Sequence, residues 1–182
     1  MSVVLPVGPG PWTVDDVPES NLPIELVDGN LVVSPFPAPR HQTVAARLVA
    51  LLDRSGFAGR IHSPGEIVFD PANSREPDVL VVKEGVDLWN GPRLVPADVL
   101  LAIEVVSPNS VTTDRITKPA QYAAAGISGY WRIETKPVLR LTASVLPDDG
   151  DVYAQVGSWT EAERVVVETP IQVSFDMAEL RG

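Results

Sequence analysis

Short strand-forming runs outnumber helical ones along this chain, and helices fall between some of the strands. With no internal repeat and no low-complexity tract, that order predicts one α/β (α+β) domain rather than a sandwich. The length agrees, since 182 residues are enough for one domain with a substantial core. The 18 prolines and 13 glycines are scattered, so they punctuate short elements instead of forming a linker.

Taken in order, residues 1–11 read as a loose N-terminal arm, and residues 12–182 as the single domain. Thr13 is a plausible N-cap for a short helix, with Asp15 and Asp16 in its first turn. IELVDGNLVVS (24–34) places two apolar runs around Asp28-Gly29, a hairpin signal. PFPAP (35–39) breaks the chain, and HQTVAARLVALLDRSG (41–56) then gives the clearest helix, ending near Gly56. GEIVFD (65–70) and, after PANSRE, PDVLVVK (77–83) are short strands. RLVPADVLLAIEVVS (93–107) is the most apolar strand, followed by a helical stretch, TDRITKPAQYAAAG (113–126). GYWRIE (129–134), LRLTASVL (139–146), VYAQVG (152–157), RVVVE (164–168) and IQVSF (171–175) complete the strands.

Composition excludes several chemistries. There is no cysteine, hence no disulfide scaffold, thiolate metal site or cysteine nucleophile. Ser107 and Ser110 have only two histidines in the whole chain to draw on, which argues against a serine-hydrolase triad. The start, MSVVLPVGPGPW, lacks a basic region and a long apolar run, so a cytoplasmic setting is expected. No stretch approaches the roughly 18–20 apolar residues of a membrane span. A net charge of −10 argues against coating nucleic acid by bulk electrostatics. It is compatible with a local basic patch, and with carboxylates offset by a divalent cation.

One residue in the most apolar strand is out of character. LLAIEVVSP carries Glu104 in its middle, and an ionised carboxylate is expensive to bury unless something holds it. A sheet edge or an arginine partner would explain it. So would a metal, because Asp78 opens the strand PDVLVVK and could converge with Glu104 if the two strands are neighbours. Hard divalent cations such as Mg²⁺ take one or two carboxylates, with water filling the rest. Lys118 could add a cation near an attacking or leaving oxygen. On the helix, His41, Ala45, Leu48 and Leu52 share one face, so His41 is read as a histidine at the core edge or a contact at the mouth of a site. Arg40, Arg47 and Arg54 form a stripe beside that face, read as a solvated helix side or as phosphate contacts. Tyr122 and Tyr130-Trp131 read as helix and strand packing.

The order EPDVLVV, LLAIEVVSP, DRITKPAQYAAAGISGYWRIE resembles an endonuclease family of the restriction-endonuclease-like (PD-(D/E)xK) superfamily. That family is common in cyanobacteria and actinobacteria and was long described only as a domain of unknown function. IELVDGNLVVSP and His41 extend the resemblance, which spans 24–134 well and the C-terminal strands loosely. It implies a central mixed β-sheet flanked by helices, with additional C-terminal strands, and Mg²⁺- or Mn²⁺-dependent hydrolysis of DNA phosphodiesters. It implies Asp78, Glu104 and Lys118 as catalytic residues, with Asp78, Glu104 and Glu25 on the metal. A homodimer is the corresponding expectation for assembly. A retained fold without cleavage, serving as an interaction module, and a hydrolase of smaller phosphoesters remain the rival readings.

The chain departs from the superfamily pattern at one point. The lysine expected two residues after the acid is replaced by Val106, and the family's lysine falls at Lys118 on the next helix. Pro119 follows it, and a proline disfavours helical backbone in the residue before it. Either the helix kinks at Lys118 or it starts afresh with Pro119 at its first position.

Overall fold

Asp28 and Gly29 both adopt positive φ (49° and 71°), the conformation an Asp-Gly hairpin turn requires. They join β1 (Ile24–Val27) to β2 (Asn30–Val33) in the computed structural model, which describes residues 10–18, 20, 22–108 and 110–181. Most of the N-terminal arm expected over 1–11 therefore lies outside the described residues. The short helix expected after Thr13 is only a turn: the Thr13 amide and hydroxyl both donate to Asp16 Oδ2, at 2.8 and 2.7 Å.

The first helix, α1, runs Pro39–Leu52. It begins earlier than expected because prolines fit the first helical turn. It also ends earlier, in a wide π-type turn over Asp53–Phe57 where Gly56 (φ 99°) leaves helical geometry. Next come β3 (Ile61–His62), β4 (Ile67–Asp70) and β5 (Asn73–Arg75). β5 lies within PANSRE, read above as a connection, and β3 was not foreseen; both are too short to show a period of their own. β6 (Val79–Val82) and β7 (Val99–Val106) follow, the latter preceded by a 3-10 turn at Pro96–Asp98 that shortens the expected strand. A second π-type turn, Thr113–Thr117, runs directly into α2 (Lys118–Ala124). The remainder is β8 (Gly129–Glu134), β9 (Arg140–Val145), β10 (Ala154–Thr160), β11 (Arg164–Val167), β12 (Val173–Asp176) and a 3-10 turn at Met177–Leu180.

The main sheet has the order β10-β9-β8-β7-β6-β3. It is mixed: β7 and β8 are parallel, and the chain between them supplies the crossover that carries α2. The other neighbours are antiparallel. A four-stranded antiparallel sheet, β2-β1-β5-β4, and the β11–β12 hairpin complete the architecture.

Alternation divides the main sheet into two faces. Val79, Val81, Leu101, Ile103, Val105, Trp131 and Ile133 pack with Leu48, Leu51 and Leu52 of α1 and with Phe175 and Leu180 near the C-terminus. Leu80, Val82, Ala102 and Tyr130 face the other way, toward Tyr122 of α2, Ile127 and Ile67. Among the described residues no helix is long and apolar enough to cross a membrane.

Candidate active site

Glu104 shares its face with Ala102, so alternation along β7 turns it toward α2. There it is buried, with 3% of its surface exposed. Its Oε1 accepts a hydrogen bond from the Tyr122 hydroxyl (2.8 Å) and lies 2.9 Å from the Lys118 ammonium. Neither a sheet edge nor an arginine accounts for this carboxylate, because Lys118 is its partner. Pro119 does not prevent the contact. Lys118 keeps helical backbone (φ −62°, ψ −49°), with the wide turn Thr113–Thr117 immediately upstream and Pro119 in the first turn of α2.

Glu25, on β1, reaches the same ammonium from the small sheet. Its Oε1 is 3.0 Å from Lys118 Nζ and accepts the Glu76 amide at 3.1 Å; its Oε2 is 3.1 Å from Arg75 Nη1. The exposure usual for a glutamate on a hairpin strand is absent, since Glu25 is buried. Arg75 in turn donates to Gln121 Oε1 of α2 (2.9 Å). Asp114 Oδ1 sits 3.8 Å from Lys118, buried and without a hydrogen-bond donor among the described residues.

Three acids thus surround one lysine. Burial pushes the Glu104 carboxyl well above its usual range, against the opposing pull of Lys118. Burial also pulls on Lys118, downward, but the carboxylates of Glu104, Glu25 and Asp114 together hold its ammonium above the ordinary lysine value. For Glu25 burial is again the largest influence, yet Lys118, the Glu76 amide and Arg75 bring its carboxyl below the usual range. Such a cluster is held by specific partners, and removing any one leaves a buried charge uncompensated.

Asp78 lies just before β6. Its Oδ2 accepts the amide of Val105, the residue after Glu104, at 2.7 Å, which brings the two acids to the same end of the sheet. The Asp78 backbone carbonyl accepts the Ser63 hydroxyl at 2.7 Å. His41, at the start of α1, places Nε2 3.1 Å from Asp78 Oδ2 with its side chain 13% exposed. Its helix face is the core-directed one, but its ring is aimed at the carboxylate. Burial lowers its basicity, and the hydrogen bond and charge of Asp78 more than reverse this, so its pKa rises. Among the described residues, Asp78 Oδ1 and Glu104 Oε2 carry no hydrogen bond, and no three Asp, Glu or His side chains are grouped as a metal-holding set.

The sequence-predicted residues Asp78, Glu104, Lys118, Glu25 and His41 therefore come together. The arginine stripe does not join them. Arg40 donates to the Thr135 carbonyl (3.1 Å), Arg47 to the Glu179 carbonyl (3.2 Å), and Arg54 to the Glu179 carboxylate, so the stripe fastens α1 to the rest of the domain. Tyr122, Arg75 and Asp114 were missed. Helical spacing offered a signal for two of them: Asp114, Lys118 and Tyr122 recur every four residues and fall on one side of the helical segment. No comparable pattern marks Arg75.

Known proteins agree with this architecture. The family model Uma2, described as "Putative restriction endonuclease", matches residues 13–178. A solved structure, that of a "putative nuclease belonging to DUF820 from Anabaena variabilis ATCC 29413", aligns with a TM-score of 0.68 at 16% identity. The alignment covers 93% of this chain and 97% of that one, and at such identity it is the fold that is shared. No curated protein matches the chain.

Proposed function

We propose that this chain, which belongs to the Uma2 family, is a metal-dependent endonuclease that hydrolyses phosphodiester bonds of DNA. One observation carries the reading: a buried lysine spans Glu104 and Glu25 at the end of the sheet where Asp78 bonds to the amide of Val105. The donor chemistry suits Mg²⁺ or Mn²⁺, because Asp78 Oδ1 and Glu104 Oε2 are hard oxygen atoms free of other hydrogen bonds among the described residues. A divalent cation held by these two residues would supply an acidified water and offset charge developing on the phosphate.

The chain's own residues do the remaining work. The Lys118 ammonium stabilises negative charge on the reacting phosphate or orients the attacking water. Glu25, itself held by Arg75, keeps that ammonium in place, so Glu25 acts through Lys118 more than on the metal, both its oxygens being engaged. Tyr122 fixes the rotamer of Glu104, and His41 fixes that of Asp78.

Plasmid nicking in millimolar Mn²⁺, wild type beside Asp78→Ala, tests the reading. Nicking by the wild type that disappears in the variant is expected. A wild type that nicks no plasmid under these conditions would refute it, and turnover of a small model phosphodiester without plasmid cleavage would point to a smaller substrate.

A further inference from the structure

Strand register extends the candidate site sideways across the main sheet. Glu104 on β7 is opposite Arg132 on β8, Arg132 is opposite Thr142 on β9, and Thr142 is opposite Ser158 on β10. Directly opposed residues share a face. This row therefore lies on the same face as Glu104, one step beyond the row in which Tyr130 stacks on Tyr153 and meets Tyr122 at a tilt. The next row, Val106, Glu134, Arg140 and Thr160, follows the same pairing. Past the aromatic row, this face changes from apolar to polar.

The polar part gathers three arginines in a chain of net charge −10. Arg132 and Arg140 lie on this face, and Arg115 arrives from the turn before α2; Glu134 faces them, Glu163 lies beside Arg140, and Glu104 opens the row. Arg115 Nε donates to Glu134 Oε1 at 3.0 Å, and Arg132 Nε stands 3.4 Å from the same oxygen without a hydrogen bond, although it is buried. Arg140 donates to Ser158 (3.2 Å), whose hydroxyl is 3.5 Å from that of Thr142. Donors thus outnumber acceptors, an arrangement suited to phosphate oxygens. From Glu104 to Ser158 the row crosses three strand spacings, about 14 Å. One nucleic-acid strand places a charge about every 3.4 Å along a duplex axis, so the row spans about four nucleotides.

We infer that this row and the next, which carries Arg140, form the track for the backbone of the strand being cut. Arg132 and Arg140 bind successive phosphates leading away from Glu104, and Ser158 donates to their oxygens. The inference rests on the nuclease reading, and its test is separable from it. An Asp78→Ala protein, in which cleavage is removed, is titrated without divalent metal against a fluorescein-labelled 20-nucleotide DNA strand and the matching duplex, at several salt concentrations. Arg132→Gln and Arg140→Gln are added singly and together, with Arg164→Gln on β11 as a control outside the row.

The double variant is expected to bind at least about tenfold more weakly, and its slope of log affinity against log salt should fall by about 1.4 for the single strand, as two lost phosphate contacts require. The control should stay within about twofold. In an active background the same changes should raise KM far more than they lower kcat. Arg140 is two strands from Glu104, so its variant carries the test alone if Arg132→Gln fails to fold. An unchanged salt slope in the double variant, or no binding to either DNA at about 100 μM protein, would overturn the track. Arginine-dependent binding by a wild type that cuts no plasmid would uphold the track and refute the hydrolase. Plasmid cleavage with unchanged KM in both variants would do the reverse.

Discussion

On the α1 side of the main sheet, Ile103 and Val105 meet Leu48, Leu51 and Trp131 in a wholly apolar layer. Between them on the same strand, Glu104 points to the opposite side and meets a lysine, a tyrosine and, beyond Lys118, two further acids. The apolar side is held by burial, which is non-directional and tolerates exchanges of similar volume. The polar side is held by directional contacts, in which each charge is tolerable only because named partners face it. One side therefore supplies the stability that lets the other keep a buried charged cluster.

Substitutions can set the two sides against each other. The largest effect is expected from Trp131→Ala on the apolar side, a loss of about 3–5 kcal/mol of stability in urea unfolding. If that variant were as stable as the wild type, the apolar side would not be the support described here. Lys118→Ala, on the polar side, should lower cleavage by at least about a hundredfold. Full activity in that variant would reduce Lys118 to a counter-ion for buried carboxylates.

Millimolar Mn²⁺ should raise the melting temperature by a few degrees, because an ion bound only by the folded chain stabilises it. Glu104→Gln should remove most of that shift; the same shift in variant and wild type would place the ion elsewhere.

The smallest effect concerns His41. Its folded pKa is raised above 6.5, so its contribution to stability is present below that pH and is lost as pH rises through the folded value. Between about pH 6 and pH 8 the wild type should lose more stability than His41→Gln, and parallel curves would show that the Asp78 contact does not hold the proton.

Much of this was legible in the chain. The Asp28-Gly29 hairpin, α1 and the strands from β6 to β9 follow from turn chemistry and apolar period, and Asp78, Glu104, Lys118, Glu25 and His41 from resemblance to a family. The helix at Thr13 failed because an aspartate side chain capped a single turn in place of starting a helix. β5 was missed because three polar residues carry no periodic signal; it exists because β1 and β4 pair with it on both sides.

The sequence by itself determined which face of each strand is apolar, where the chain turns, and that an acid interrupts the most apolar strand, since these depend on residue type and spacing along the chain. Only the tertiary structure decided what that acid meets. Glu25, Asp114 and Tyr122 reach Lys118 and Glu104 from three separate elements, Arg75 reaches Glu25 from a fourth, and Arg132 and Ser158 join Glu104 through register across neighbouring strands. Apart from the four-residue spacing of Asp114, Lys118 and Tyr122, contacts between carboxylates and cations act over a few ångströms in space and leave no period in the sequence. Folding alone determines which charges become neighbours.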